Sequence, residues 1–178
     1  MRDSDVALKT VRGLREVCAR EFDLHPMSRA VLAATGFQHS VSELRRQLGG
    51  LGDVETTLRH LHIAGFVSFG HDALNPMPTA TEVAASQKHM PPLQMAKHFM
   101  QDTLEAANRL TLGFRLRLAC CRTHAHLLEC LPHYGMLIAR AADADTATQL
   151  KLRTRDMAIA SSFAAPMALV RRSAAPLS

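Results

Sequence analysis

The chain has no tryptophan and a single tyrosine, Tyr134. Unpaired nucleic-acid bases are held mainly by stacking on aromatic side chains, so a single-strand binder would have little to work with here. Long apolar runs are also missing. The longest uncharged apolar stretch, 157–170, is interrupted by Pro166 and falls short of the roughly 20 residues that cross a bilayer. The opening residues, Met1-Arg2-Asp3-Ser4-Asp5, lack the apolar core of a secretory signal. These absences lead us to expect a cytoplasmic protein without a membrane partner. Enzyme signatures are lacking too: there is no Gly-x-Ser-x-Gly elbow, no Gly-x-x-x-x-Gly-Lys-Ser/Thr phosphate loop and no His-Glu-x-x-His pair. Acidic residues are scattered rather than paired for acid–base work. We therefore nominate no catalytic residue and no cofactor, and expect a protein that binds rather than catalyses. Four cysteines, Cys18, Cys120, Cys121 and Cys130, in a helix-rich chain of 178 residues read as reduced thiols rather than a disulfide frame.

Patterning is clearest between Asp23 and Asn75. Met27, Ala30, Val31 and Ala34 recur at helical spacing. A short link, Phe37-Gln38-His39, follows Gly36. Ser40-Val-Ser-Glu43 then has the form of a capping box, in which a hydroxyl and a carboxylate satisfy free helix-start amides reciprocally. Leu44 and Leu48 give that helix an apolar face, and Gly49-Gly50 stop it. Asp53 caps a third helix carrying Val54, Leu58 and Leu61, which Gly65 ends. Phe66-Val-Ser-Phe69 reads as a strand. Val31, Leu44, Leu58, Leu61 and Phe66 form the expected core. The apolar stripe of Val6, Leu8, Val11, Leu14, Val17 and Cys18 predicts an additional helix over 6–20, packed on this module and weakened by Gly13.

Ser40-Val-Ser-Glu-Leu and Val54-Glu-Thr-Thr-Leu-Arg-His-Leu-His-Ile-Ala-Gly-Phe-Val resemble the helix–turn–helix–strand pattern of winged helix-turn-helix regulators over residues 25–75. The resemblance implies that 53–64 is the recognition helix and 66–75 the wing. Arg59, His60 and His62 would then face DNA, and Arg45 and Arg46 on the preceding helix would meet the phosphate backbone. The charge distribution pulls the other way. Residues 1–24 carry five basic and five acidic groups and residues 25–72 carry four of each, so the net charge of +5 lies entirely in 73–178, with twelve basic against seven acidic. Phosphate contact supplies most DNA affinity, and a neutral module with acidic Asp53 and Glu55 at the start of its third helix is poorly suited to supply it.

Beyond residue 75 the chain changes character. Pro76, Pro78, Pro91 and Pro92 bracket a linker over 76–92. Leu93, Ala96, Met100, Leu104 and Ala107 predict a long helix over 93–112, bent or broken at Gly113, followed by helical segments over 114–122, 124–130, 134–142 and 147–161. Thr123, Pro132 and Asp145 or Thr146 would open the last three. A flexible tail covers 162–178. The predicted fold is mainly α: a winged-helix-like domain with a short β-hairpin in 1–75 and a helical domain in 93–161. Cys121-x-x-His124 and Cys130-x-x-His133 suggest zinc, but five residues between the two pairs leave little room to wrap one ion, and core thiols with surface histidines are the simpler reading. Arg115 and Arg122, with Arg109 and Arg117, form the main basic cluster and suit an acidic protein partner.

Two functions are consistent with these features. One is a transcriptional regulator that binds duplex DNA through its winged helix, with a homodimer joined by the C-terminal helices. The other is a signalling adaptor whose winged helix binds protein.

Overall fold

Thr10, not Val6, begins the first helix. Its hydroxyl accepts from the Gly13 amide and donates to the Gly65 carbonyl 2.7 Å away, and its own amide donates to Phe66 O at 3.1 Å. In the computed structural model, which describes residues 2–36, 39–69, 79, 81 and 91–164 and side chains through 159, residues 6–9 just before Thr10 are extended. Strand β1 (Ala7–Lys9) pairs antiparallel with β2 (Val67–Phe69), Leu8 opposite Ser68, and an isolated bridge joins Val6 to Ser40. The helix expected over 6–20 is thus a strand followed by a shorter helix, α1 (Val11–Ala19). The apolar stripe is real, but in Val6–Leu8 it serves the sheet. The strand expected at the start of the wing takes this N-terminal strand as its partner. The rest of the wing, 70–75, lies outside the described residues.

The three central helices follow their end signals. In α2 (Pro26–Ala34), Pro26 occupies the first turn and His25 Nδ1 accepts from the Met27 amide. Both halves of the capping box at α3 (Val41–Leu48) are formed: Ser40 N donates to Glu43 Oε2 at 2.8 Å, and Glu43 N donates to Ser40 Oγ. A 3-10 turn at Gly49–Leu51 leads to α4 (Val54–Ile63), capped by Asp53 through the Thr56 amide. Gly65, at φ +76°, ends α4 in the left-handed region that glycine adopts without strain. Val31, Leu44, Leu58, Leu61 and Phe66 are all buried, as the periodicity predicts.

Among the described residues after β2, the chain goes on through α5 (Pro92–Ala106), α6 (Leu112–Cys120), α7 (His124–Ala139) and α8 (Ala144–Ala164). Helix α5 stops at Ala106, six residues short of expectation, where Asn108 takes a positive φ of 52°. Pro132 does not open a new helix. It sits exposed inside α7, whose flanking turns are held by buried Leu127, Cys130, Tyr134 and Ile138. Asp143, rather than Asp145 or Thr146, starts α8 by accepting from the Thr146 amide at 2.7 Å. That helix runs through Ala164, past the expected start of the tail at 162. Residues 165–178 lie outside the described residues, as does most of the linker.

Mainly helical structure with one small two-stranded antiparallel sheet is therefore what the chain adopts among the described residues. The N-terminal and C-terminal regions share one apolar cluster, with α2 lying against α5 and α5 against α8. Gly13 and Gly50 mark close approaches between elements. A Cβ on Gly13 would strike the Phe66 carbonyl, and one on Gly50 would meet Thr146 and Asp143 at the start of α8. No described helix is long and apolar enough to cross a membrane.

Candidate interaction surfaces and a buried charge cluster

Helix α4 exposes an arc formed by Thr56, Arg59, His60 and Ile63, opposite buried Val54, Leu58 and Leu61. Arg59 Nη2 lies 3.3 Å from Glu55 Oε1, one turn earlier. Arg45, exposed on α3, pairs with Asp3 at 2.8 Å and approaches the same Glu55 carboxylate at 3.9 Å. Arg46 and His60 are exposed. His62 is turned away from the others: its Nδ1 is 3.1 Å from Val67 O and its ring meets the Phe69 ring edge-on. Five expected DNA-facing residues thus separate into an exposed set (Arg46, Arg59, His60), an arginine on the flank held by two acids (Arg45) and a histidine committed to β2. Asp53, held below the usual carboxylate range by its bonds to Thr56, and Asp143, held down likewise by Thr146, flank the turn that leads into α4.

The second surface lies on α6. Phe114 and Leu118 face inward, while Leu112 is 72% and Leu116 58% exposed. Successive residues are roughly 100° apart around a helix, so Leu112 and Leu116 share an outward strip with Arg115 on one side and Arg117 on the other. Arg115 is drawn back to Glu105 at 3.0 Å. Arg117 and Arg122 are exposed, and no carboxylate pairs with them among the described residues. Arg109 donates to Arg140 O at 3.4 Å. Lys97 Nζ, from α5, caps the end of α6 by donating to Cys121 O at 3.0 Å.

A third site, not singled out from the sequence, is a cluster of charges between α1, α2 and α5. Asp102 is 3% exposed and its Oδ1 accepts from Arg20 Nη2 and Arg29 Nε, each at 3.0 Å. Arg29 also reaches Glu105 Oε2 at 3.2 Å. Burial pushes the Asp102 carboxyl up to about 6, outweighing both guanidinium groups. Glu16, on α1, is buried beside them. Its Oε2 accepts from the Phe22 amide at 2.7 Å, its Oε1 has no partner among the described residues, and burial raises its pKa. His98 completes the wall, with burial foremost, then Arg20, lowering it to about 4. The groups enclose a cavity of about 10 Å³, the space of one water molecule. Such a cluster locks helices together. It leaves no room for a substrate.

Two more cations were not singled out from sequence. Lys9 Nζ donates to Ala33 O at 3.3 Å and to Thr35 O, and Arg153 Nη2 donates to Ala34 O at 2.7 Å while also meeting His39. Both sit on the carbonyl end of α2, where a helix favours positive charge. Burial, with Arg153 adding to it, brings the Lys9 ammonium down to about 7. The only signal for Lys9 was a charged residue inside an apolar stripe. For Asp102 it was an acid next to Thr103 on the inward side of a strong helix.

Cys121 and Cys130 are buried with their sulfurs 3.5 Å apart, and Cys120 is exposed. His124 and His126 are exposed on the first turn of α7, and the His133 ring packs edge-on against Phe114. Among the described residues no three metal-binding side chains converge. None of the protein-family models, curated proteins or solved structures compared with this chain matches it.

Proposed function

We propose that this protein is a non-enzymatic regulatory module that acts by binding an acidic protein partner, with its helix-turn-helix serving as scaffold. One observation carries the reading: Glu55 stands within ion-pair reach of both Arg45 and Arg59. A DNA phosphate approaching that face would have to displace a carboxylate already in place, and Asp53 and Asp143 add further negative charge at the same end of α4. Arg117 and Arg122, which no carboxylate pairs with among the described residues, lie on and just after α6, whose outward strip offers Leu112 and Leu116. Exposed leucines between arginines suit a segment that alternates acidic and apolar groups, because such a segment buries apolar surface while its charges complement the rim.

A transcriptional regulator that binds duplex DNA is the second reading. The exposure of Arg46, Arg59 and His60 on a well-capped helix-turn-helix favours it. Fluorescence anisotropy separates the two. The full chain is titrated into a labelled Glu/Leu amphipathic helical peptide and, separately, into a labelled duplex, at 50 and 200 mM salt. Binding to the peptide is expected, together with loss of affinity in Leu112→Ser/Arg117→Glu. Duplex binding that falls with salt and weakens in Arg59→Ala, with no peptide binding, would overturn the protein-partner reading in favour of DNA.

A further inference from the structure

Cys121 and Cys130 meet where α6 ends and α7 is in its second turn. Their sulfurs are 3.5 Å apart, and Cys121 Sγ also lies 3.3 Å from Arg117 O and 3.6 Å from His126 O. A disulfide needs about 2.05 Å between sulfurs, so a closure of roughly 1.5 Å separates the two states. Little prevents that closure. Cys121 is the residue after α6, extended at φ −66° and ψ 111°, and a short connection of 121–123 leads into α7. Both thiols are enclosed, at 5% and 1% exposure, so each has the other as its nearest reaction partner once oxidation begins.

We propose that Cys121 and Cys130 form a reversible redox dithiol that a small hydroperoxide converts to an intramolecular disulfide. The Cys121 thiolate attacks one peroxide oxygen and the O–O bond breaks. Hydroxide leaves, and Cys121 becomes a sulfenic acid. The Cys130 thiolate then attacks the Cys121 sulfur, the S–O bond breaks, and a second hydroxide leaves. The protons released by the two thiols turn both hydroxides into water. Overall, two thiols and one hydrogen peroxide give one disulfide and two waters; two equivalents of a monothiol reductant reverse it.

The same geometry makes the reaction slow at neutral pH. Burial first, and then the hydrogen bond with Cys130, raise the Cys121 thiol to about 11, so little thiolate is present at pH 7. The rate should climb through the alkaline range. Lys97 and Arg117, close enough to favour the thiolate, moderate this barrier. The product would tether the end of α6 to α7 covalently. Exposed Cys120, adjacent in sequence, would instead take single-thiol adducts.

The test uses the full, reduced chain treated with hydrogen peroxide, blocked with iodoacetamide and digested with trypsin without reductant. Cleavage after Arg117, Arg122 and Arg140 releases residues 118–122 and 123–140, which remain joined only by a disulfide. The expected result is this linked pair in wild type and in Cys120→Ser, its absence in Cys121→Ser and Cys130→Ser, and its disappearance with dithiothreitol. A tenfold or greater increase in initial rate from pH 7 to pH 9 is also expected. Link formation in Cys121→Ser would make Cys120 the partner and overturn the assignment. So would a link that forms only when the chain is first unfolded in guanidinium, or a Cys120→Ser protein whose other thiols oxidise while 121 and 130 stay reduced.

Discussion

Asp102→Asn sets burial against pairing in the cluster between α1, α2 and α5. Asp102 receives two guanidinium bonds at 3.0 Å, yet its carboxyl is held near 6 because removal from water outweighs them. An unfolded chain releases this proton near the ordinary value of 3.8. Between about 4 and about 6 the folded chain thus binds more protons than the unfolded one. Linkage then requires the stability contributed by this group to be complete below the window and to decline as pH rises through it. At about 1.4 kcal/mol for each tenfold change, the window corresponds to about 3 kcal/mol. Asparagine keeps the shape and one acceptor but has no proton to release. The variant is therefore expected to equal or slightly trail wild type at pH 4 and to gain about 3 kcal/mol relative to it by pH 7. His98 works in the opposite direction over an overlapping window but is present in both proteins, so it cancels in the difference. Urea unfolding at pH 4, 5, 6 and 7, followed by circular dichroism, reads the effect directly. A difference that does not change with pH, or that turns against the variant above pH 6, would show that the arginine pairs outweigh burial and would refute the reasoning.

Leu58→Ala, at a fully buried position of α4, should lower stability by about 2–5 kcal/mol; an unchanged thermal midpoint would remove Leu58 from the core. Gly13→Ala should destabilise although helix propensity alone favours alanine by about 0.8–1.0 kcal/mol, because the added methyl meets the Phe66 carbonyl; a raised midpoint would show that α1 can move away. Lys9→Met should flatten stability between pH 7 and pH 10. In that range the folded chain has shed the Lys9 proton while the unfolded chain keeps it, so this group makes wild type gain stability as pH rises, and unfolding curves at pH 7 and pH 10 measure the gain.

What could be read in advance was local. Ser40 and Glu43 cap α3 through contacts three residues apart, Asp53 does the same for α4, and Leu58 and Leu61 lie one turn apart on one face, so each signal sits inside a single short window. The pairing of β2 with β1 does not, because nothing near Val67 names Lys9 as its neighbour. The apolar stripe from Val6 misled for the same reason: alternation and helical period overlap over so few residues, and the hydroxyl of Thr10 decides between them only once Gly65 is known to lie beside it. In sequence Pro132 signals a break, whereas the buried residues on either side hold α7 continuous. The candidate surfaces divide likewise. Exposure of Arg59 and His60 follows from periodicity on α4, but the placement of Arg45 against Glu55, the turn of His62 onto β2, and the meeting of Asp102 with Arg20 and Arg29 are tertiary facts between residues up to 82 positions apart.

The pairing of β1 with β2 also sets an order of events during synthesis. Lys9 leaves the ribosome long before Val67, and at about 5–20 residues per second the first strand waits about 3–12 s for its partner. Through that interval its edge amides and the Thr10 hydroxyl have none of their final contacts from Gly65 and Phe66. Helices α2–α4 can collapse on their own apolar faces in the meantime, but the strand that pairs with β1 arrives only after α4 is complete. A nascent chain stalled before residue 65 should leave the amides of Leu8 and Thr10 open to hydrogen exchange, and one stalled well past residue 100 should protect them.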